Sequence, residues 1–336
     1  MTTADGSRIG LAPGERGAPD VAVLVLNWNG RRHLEALLPS LRAAAAATPY
    51  PVSLVVVDNR STEPDVEWVR TNFPEFEVVV AERNDFLFSL NPIVASRPEE
   101  IVVILNNDMR VEPDFLVPLV EHFEDPLVFA STAKVMNWDG SEQTTAPRRM
   151  EIRRWWVYKR WEMSVDEAAH TFEAGGGCSA HRRSMYAALG GFDPLYRPGY
   201  CEDTDLTYRA WQRGWRSVYE PRSVIYHRVG ATLYDPAKQH RFDANIARNH
   251  ALFTVKNVGS WAFLLVFLLL LPVRIVRNRL AGNRALAAGL AAVGPRLFDA
   301  IRGRVRARRS VTLSHDAIAA AVRAHPRSIL EQMGVT

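Results

Sequence analysis

The sequence predicts an α/β fold, a mostly parallel sheet flanked by helices, followed by a helical C-terminal extension. Short, wholly apolar runs alternate with stretches of helical periodicity over the first hundred residues. Two of those runs end in polar clusters, one at Asp58 and one at Asn106-Asn107-Asp108. Beyond residue 245 the strand pattern stops and helical patterning continues almost to the end. Of 336 residues, 47% are hydrophobic and 23% charged, which excludes wholesale disorder, collagen and coiled coil.

Residues 21–26 are continuously apolar, as in a strand buried on both faces. Leu34, Leu37, Leu38 and Leu41 then recur at helical spacing. Residues 54–57 form a second strand that delivers Asp58, and 66–73 read as a helix stopped by Pro74. A third strand covers 77–81 and a fourth 101–105. Ligands of such sheets gather beyond the carboxyl ends of the strands, where Asn27, Asp58 and Asp108 fall. Residues 137–172 have weak periodicity, many arginines, and Trp155, Trp156 and Trp161, and read as a long excursion that could order over a ligand. These tryptophans suit stacking on a sugar and plain packing equally well. Gly175-Gly176-Gly177 precede a short apolar stretch. Residues 202–214 read as a helix opened by acids and closed by Gly214, and 217–219 and 224–226 as two short strands, the second leading to His227. No internal repeat is evident.

Several chemistries are disfavoured. The first strand is followed by Asn27-Trp28-Asn29-Gly30 where a dinucleotide site needs G-x-G-x-x-G. Gly-Lys-Ser/Thr does not follow the triple glycine, and no G-x-S-x-G elbow exists. Cys178 and Cys201 cannot make a disulfide framework and suit a reducing compartment. The first twenty residues lack the apolar core of a secretory signal.

What remains is acids and one histidine. Asp108 at a strand end can bind Mg²⁺ or Mn²⁺, unless Asn106-Asn107-Asp108 is only a turn. Glu202, Asp203 and Asp205 crowd three charges into one helical turn. Asp205 and Arg209 are four apart and can pair on one face. That leaves Glu202 and Asp203 pointing outward, towards a substrate or merely capping the helix. His227 gains weight from following a strand on the same presumed side.

Read together and in order, these segments resemble glycosyltransferase family 2 with its GT-A fold, in the rhamnosyltransferase/galactofuranosyltransferase-like branch. The resemblance spans about residues 21–232: VLVLNWNG, VVVDNRST, Asn84 with Asn91, VVILNNDMRV, GGGCSAHRRSMYAALGGFDPLY, GYCEDTDLTYRAWQRGW and VIYHRVGAT. It implies a nucleotide-sugar site at Asn27, Asn29, Asp58, Asn84, Asn106, Asn107, Gly176 and Gly177, with a dTDP- or UDP-sugar as donor. Asn106 and Asp108 stand for the family's D-x-D, with Asp108 on a divalent cation, Mg²⁺ or Mn²⁺, and His227 as a further ligand. Asp203 is implied as the general base of an inverting transfer, with Glu202, Trp155 and Trp156 on the acceptor side. The first D-x-D acid is here the uncharged Asn106, and residues 84–91 carry larger side chains than the family often has. The implied organisation is a flexible N-terminus over 1–19, a catalytic domain over 20–245 (nucleotide half 20–110, acceptor half 111–245) and an extension over 246–336. Two alternatives stay open: a nucleotidyltransferase-like enzyme, and a non-catalytic nucleotide-sugar-binding protein on the same fold.

The extension has its own signature. Residues 258–273 are uncharged and apolar, short of the roughly 20 residues a span needs. They suit a core helix, an in-plane membrane helix or a marginal span. Residues 274–309 hold ten Arg and one acid, Asp299, leaving five net negative charges on the rest of a chain whose total is +4. Leu and Phe beside Arg suit an anionic membrane surface better than nucleic acid. The expectation is a cytoplasmic protein, peripheral on the inner face of the cell membrane, acting on a glycan or polyprenyl-diphosphate-linked acceptor.

Overall fold

The computed structural model describes residues 18–163, 165–228, 236–308 and 311–323. Most of the expected N-terminal lead-in, the end of the VIYHRVGAT segment and Arg309 lie outside these. Strands β1 (Val21–Asn27), β2 (Val52–Asp58), β3 (Glu77–Val80) and β4 (Ile101–Asn106) pair in parallel in the order β3-β2-β1-β4. Their crossovers carry α1 (Arg31–Ala47), α2 (Asp65–Asn72) and α3 (Leu90–Ser96). The continuous Val/Leu/Ile runs are explained by burial on both faces. Val21, Val23 and Val25 meet Leu34, Leu37, Leu38 and Leu41 of α1, while Ala22 and Leu24 face a second core that includes Leu90 and Val94 of α3. Register aligns the strand ends, with Asn27 opposite Asp58 and Leu26 opposite Asn106.

The second half makes the sheet mixed. It holds β5 (Met109–Val111), α4 (Leu116–Glu121), β6 (Val128–Asn137), β7 (Arg148–Arg153), β8 (Trp156–Trp161), β9 (Ala169–His170), β10 (Cys178–Arg182), α5 (Arg183–Leu189), α6 (Glu202–Gln212) and β11 (Arg216–His227). β10 runs antiparallel between β4 and β6, and β5 antiparallel to β11. The two short strands expected around 217–226 are one strand. Its register against β6 jumps between Glu220 and Val224, so Pro221, Arg222 and Ser223 bulge out without ending it. Much of the stretch read as an excursion is a hairpin, β7 paired to β8 across Arg154-Trp155, and this is a correction. Both turn residues have positive φ, 50° and 59°. That backbone normally calls for Asn-Gly, so the sequence carries no turn signal there.

Helices α7 (Pro236–Asn257), α8 (Trp261–Leu280), α9 (Arg284–Ala291), α10 (Leu297–Ala307) and α11 (His315–Arg323) follow. They share the core of the body: Phe253 of α7 packs edge-on against Phe172 and Tyr208. α8 is long and apolar enough to cross a membrane by length and composition alone. Yet Phe263, Leu264 and Phe267 are buried on the body, where Trp155 meets Phe263 at 5.5 Å and Trp156 stacks on Phe267 at 5.7 Å. Its other face presents Leu265, Leu269, Val273, Val276 and Leu280 to the outside. The basic segment is not uniformly a surface device. Buried Arg304 donates to the carbonyls of Val255, Val258, Gly259 and Ser260, closing the turn between α7 and α8, and Arg296 donates to those of Leu195 and Arg197.

Candidate active site

The carboxyl ends of β2, β1 and β4 carry a polar network. Asn27 is buried; its Nδ2 donates to Asp65 Oδ2 at 2.8 Å and its Oδ1 accepts from Asn107 Nδ2 at 2.8 Å. Asp65 Oδ2 also accepts from the Gly30 amide, at 2.8 Å. A Cβ on Gly30 would lie 1.9 Å from the Asn107 amide nitrogen, so glycine is needed for this close approach. Asn29, with φ 47°, binds Thr62 through both ends of its amide. Asn27, Asn29 and Asn107 thus fasten the β1 loop to its neighbours. Asp58 differs. Its Oδ2 accepts from the Ser61 amide at 3.1 Å, while buried Oδ1 has no hydrogen-bond partner among the described residues. Asn84 lies exposed beside the loop that starts at Asp85, which Arg197 pins by an ion pair.

β4 turns through Asn107-Asp108 into β5, and β11 comes alongside with His227 opposite Met109. The expected metal ligands therefore meet: His227 Nε2 lies 3.3 Å from Asp108 Oδ2. The Arg228 amide also binds the Asp108 carbonyl, at 3.0 Å. One carboxylate oxygen and one imidazole nitrogen, with the Asn106 amide at the same strand end, form a donor set that fits Mn²⁺ or Mg²⁺. His33 belongs to this neighbourhood too. Burial lowers its pKa, Asp108 opposes that and Arg228 reinforces it. A second acid–histidine group, Glu121, His122 and Glu220, sits at the end of α4 and further up β11, but Arg222 already bridges both carboxylates.

Asp203 reaches the same rim. Cys178 pairs with Leu105, which sets the glycine loop beside Asn106. A Cβ on Gly177 would lie 2.4 Å from the Asn106 amide, and one on Gly176 would lie 3.5 Å from Asp203 Cβ and 2.9 Å from Leu87. Two adjacent glycines thus touch both sides. α6 begins after Tyr200 and Cys201, both with positive φ (72° and 68°), a costly backbone for non-glycine residues. Glu202 does not point outward as expected; it is buried, and its Oε2 has no partner among the described residues. Asp203 is partly exposed and accepts from the Thr204 amide at 2.7 Å. Burial, then the Glu173 carboxylate, push Asp203 above the usual range, with Lys159 opposing. Burial, then Asp203, push Glu202 up as well. Lys159 ion-pairs with Glu173 at 2.8 Å and donates to Thr204 Oγ1 at 2.7 Å. Asp205 behaves as expected: it pairs with Arg209 at 2.7 Å, and also with Lys256 at 2.7 Å.

Sequence reasoning missed Asp65, His33, Lys159 and Glu173. Asp65 reads as an ordinary acid of a helix's first turn. Lys159 and Glu173 lie on or after the hairpin whose turn has no signature. Trp155 and Trp156, expected on the acceptor side, lie against α8, and Trp156 also meets His250 at 5.2 Å.

A mixed sheet of this order, with a polar rim at its parallel strand ends and an acid–histidine pair beside it, defines the GT-A class of nucleotide-sugar transferases. The glycosyltransferase like family 2 pattern matches residues 19–243, and the chain belongs to that family. It is a nucleotide-sugar glycosyltransferase, which sets aside the nucleotidyl-transfer and non-catalytic readings. It is 27% identical over 244 residues to an N-acetylglucosaminyl-diphospho-decaprenol L-rhamnosyltransferase of Mycobacterium tuberculosis, covering 64% of this chain and 78% of that one. Two solved structures share the fold. A mannosyltransferase from Pyrobaculum calidifontis in complex with GDP-Man and Mn²⁺ has a TM-score of 0.51 at 18% identity, covering 97% of this chain and 82% of that one. GalNAc-T7 with UDP, GalNAc and Mn²⁺ has a TM-score of 0.53 at 17% identity, covering 70% of this chain and 48% of that longer one.

Proposed function

We propose that this protein is an inverting, metal-dependent glycosyltransferase. It moves a sugar, rhamnose foremost, from a dTDP- or UDP-linked donor to a hydroxyl of a polyprenyl-diphosphate-linked or other cell-envelope glycan. The observation that carries this reading is the meeting of Asp108 with His227 at 3.3 Å on the rim that Gly176 and Gly177 connect to Asp203. The rhamnosyl donor and the lipid-linked acceptor follow the Mycobacterium tuberculosis relative, whose name states both.

Asp58 Oδ1 accepts a hydrogen bond from the base or ribose of the donor. Asp108 and His227 hold the cation, with Asn106 alongside. When bound, that Mg²⁺ or Mn²⁺ supplies Lewis-acid neutralisation of the charge developing on the leaving diphosphate. Asp203 takes the proton of the acceptor hydroxyl as that oxygen attacks the anomeric carbon from the far face. A carboxyl raised above the usual range suits this task, because it is a stronger base than an exposed aspartate. Lys159 and Glu173 set its proton affinity without touching the reacting atoms.

The outward stripe of α8 with the arginines that follow it supports a peripheral position on the inner face of the membrane, with α8 lying in its plane. The stripe inserts among acyl chains while arginine stems reach the headgroups. The test is a donor panel scored by nucleoside-diphosphate release with a membrane extract and Mn²⁺. dTDP or UDP release that needs both metal and extract supports the reading; release from no donor overturns it. Sedimentation of the full chain with phosphatidylglycerol vesicles tests the placement. A Leu265→Glu, Leu269→Glu variant that sediments like the original rules the stripe out.

A further inference from the structure

A cleft of about 880 Å³ opens between α7, α8, α9 and the β8 edge of the hairpin. That volume is in the range of small-molecule sites. Arg274 and Arg277 of α8 and Arg284 of α9 line it, against a single carboxylate among the described residues, Asp243 of α7. Asp243 is engaged by Gln239 at 2.9 Å. Trp156 and Tyr158 supply an aromatic wall, and Arg274 lies over the Trp156 ring, 4.9 Å from its centre. His250 also lines the cleft, with its buried Nε2 unpartnered among the described residues. Arg274 donates to the Arg154 carbonyl at 2.6 Å and Arg277 and Arg284 are exposed, so the cleft carries a surplus of positive charge that an anion would match. Guanidinium forks bind phosphate oxygens in pairs, so the matching ligand carries more than one phosphate.

The surroundings say what else that ligand carries. Arg274 and Arg277 directly follow Val273 and Val276 of the exposed apolar stripe. On the inner side, Trp156 packs on His250, whose titration feels the charges of Lys159 and Glu173, the pair that touches Thr204 beside Asp203. The cleft therefore lies between a hydrocarbon-compatible face and the proposed base. We infer that it holds the diphosphate of an isoprenoid-linked acceptor, with the isoprenoid along the α8 stripe and the sugar directed towards Asp203. This rests on the lipid-linked acceptor proposed above.

The probe is geranylgeranyl diphosphate, titrated into the full chain and followed by tryptophan fluorescence. Arg277→Gln with Arg284→Gln alters two exposed side chains, and an unchanged Tm confirms folding. The expected result is a Kd raised at least ~10-fold, consistent with two lost charge-assisted contacts. Geranylgeraniol, which lacks the diphosphate, is expected to bind weakly and equally to both proteins. Phosphatidylglycerol vesicles are expected to lose much less affinity than the probe does. If the original protein binds the probe and the double variant binds it as tightly, the cleft is excluded while the acceptor class stands. If the original protein binds the probe no better than geranylgeraniol, the cleft and the acceptor class both fall. Equal loss on vesicles and probe assigns the arginines to a general anionic surface and overturns the site.

Discussion

Asp203 and Asp205 stand two residues apart in the first turn of one helix, and their surroundings could hardly differ more. Asp205 is wholly buried but answered by Lys256, Arg209, the Asn257 amide and the Tyr196 hydroxyl. Against the upward push of burial, Lys256 and Arg209 hold its carboxyl below the usual range. Asp203 has Lys159 nearby, but that ammonium already pairs with Glu173, so burial and the Glu173 charge prevail and the carboxyl rises. One helix therefore carries an acid whose charge is compensated for stability and another whose charge is left under-compensated. An under-compensated carboxylate holds its proton more readily, which is what a base for an alcohol requires.

The sharpest way to break this contrast is substitution at both positions. Asp205→Ala leaves Lys256 and Arg209 without their buried partner and should cost about 3–5 kcal/mol, read as a lowered midpoint in urea. The same pairing makes the contribution of Asp205 present above the ordinary carboxylate pKa and lost as pH falls towards its depressed one, so the difference between the two proteins should shrink in acid. Asp203→Asn should leave the urea midpoint and donor binding nearly unchanged while lowering turnover by at least ~10². Turnover close to the original in that variant removes Asp203 from the chemistry.

A subtler pair moves the pH profile without touching Asp203. Its activity should fall as pH drops through the raised pKa, because the base must be unprotonated. Glu173→Gln removes a like charge and should move that acid limb to lower pH; Lys159→Met removes a compensating charge and should move it higher. Limbs that shift together, or not at all, would show that the limb belongs to another group.

Much of this was legible beforehand because strand and helix signals are local. The apolar runs of β1, β2 and β4 and the polar residues at their ends follow from burial on both faces. The Asp205–Arg209 pair follows from helical spacing alone. β6 carried no clear signal because it buries Ser131 and Thr132, and Thr132 Oγ1 accepts a bond from Ser179 at 2.8 Å on the neighbouring β10. The hairpin escaped notice because Arg154-Trp155 occupy a turn that favours Asn-Gly, with Trp155 packed on Phe263 of α8. Lys159 and Glu173 escaped with it. Partners that meet only through tertiary packing, as Asp65 meets Asn27, leave no trace at fixed spacing.

Asn249 of α7 donates to the carbonyls of Tyr196, Gly199 and Tyr200, and Lys256 about two turns on holds Asp205 and Asp193. The family match ends at residue 243, before either side chain. A fragment trimmed to that boundary would lose one of the two counter-charges of Asp205 and the clamp on the strained approach to Asp203 at one stroke. What looks from the family's outline like a detachable membrane tether begins with a helix that the catalytic half needs for its own assembly.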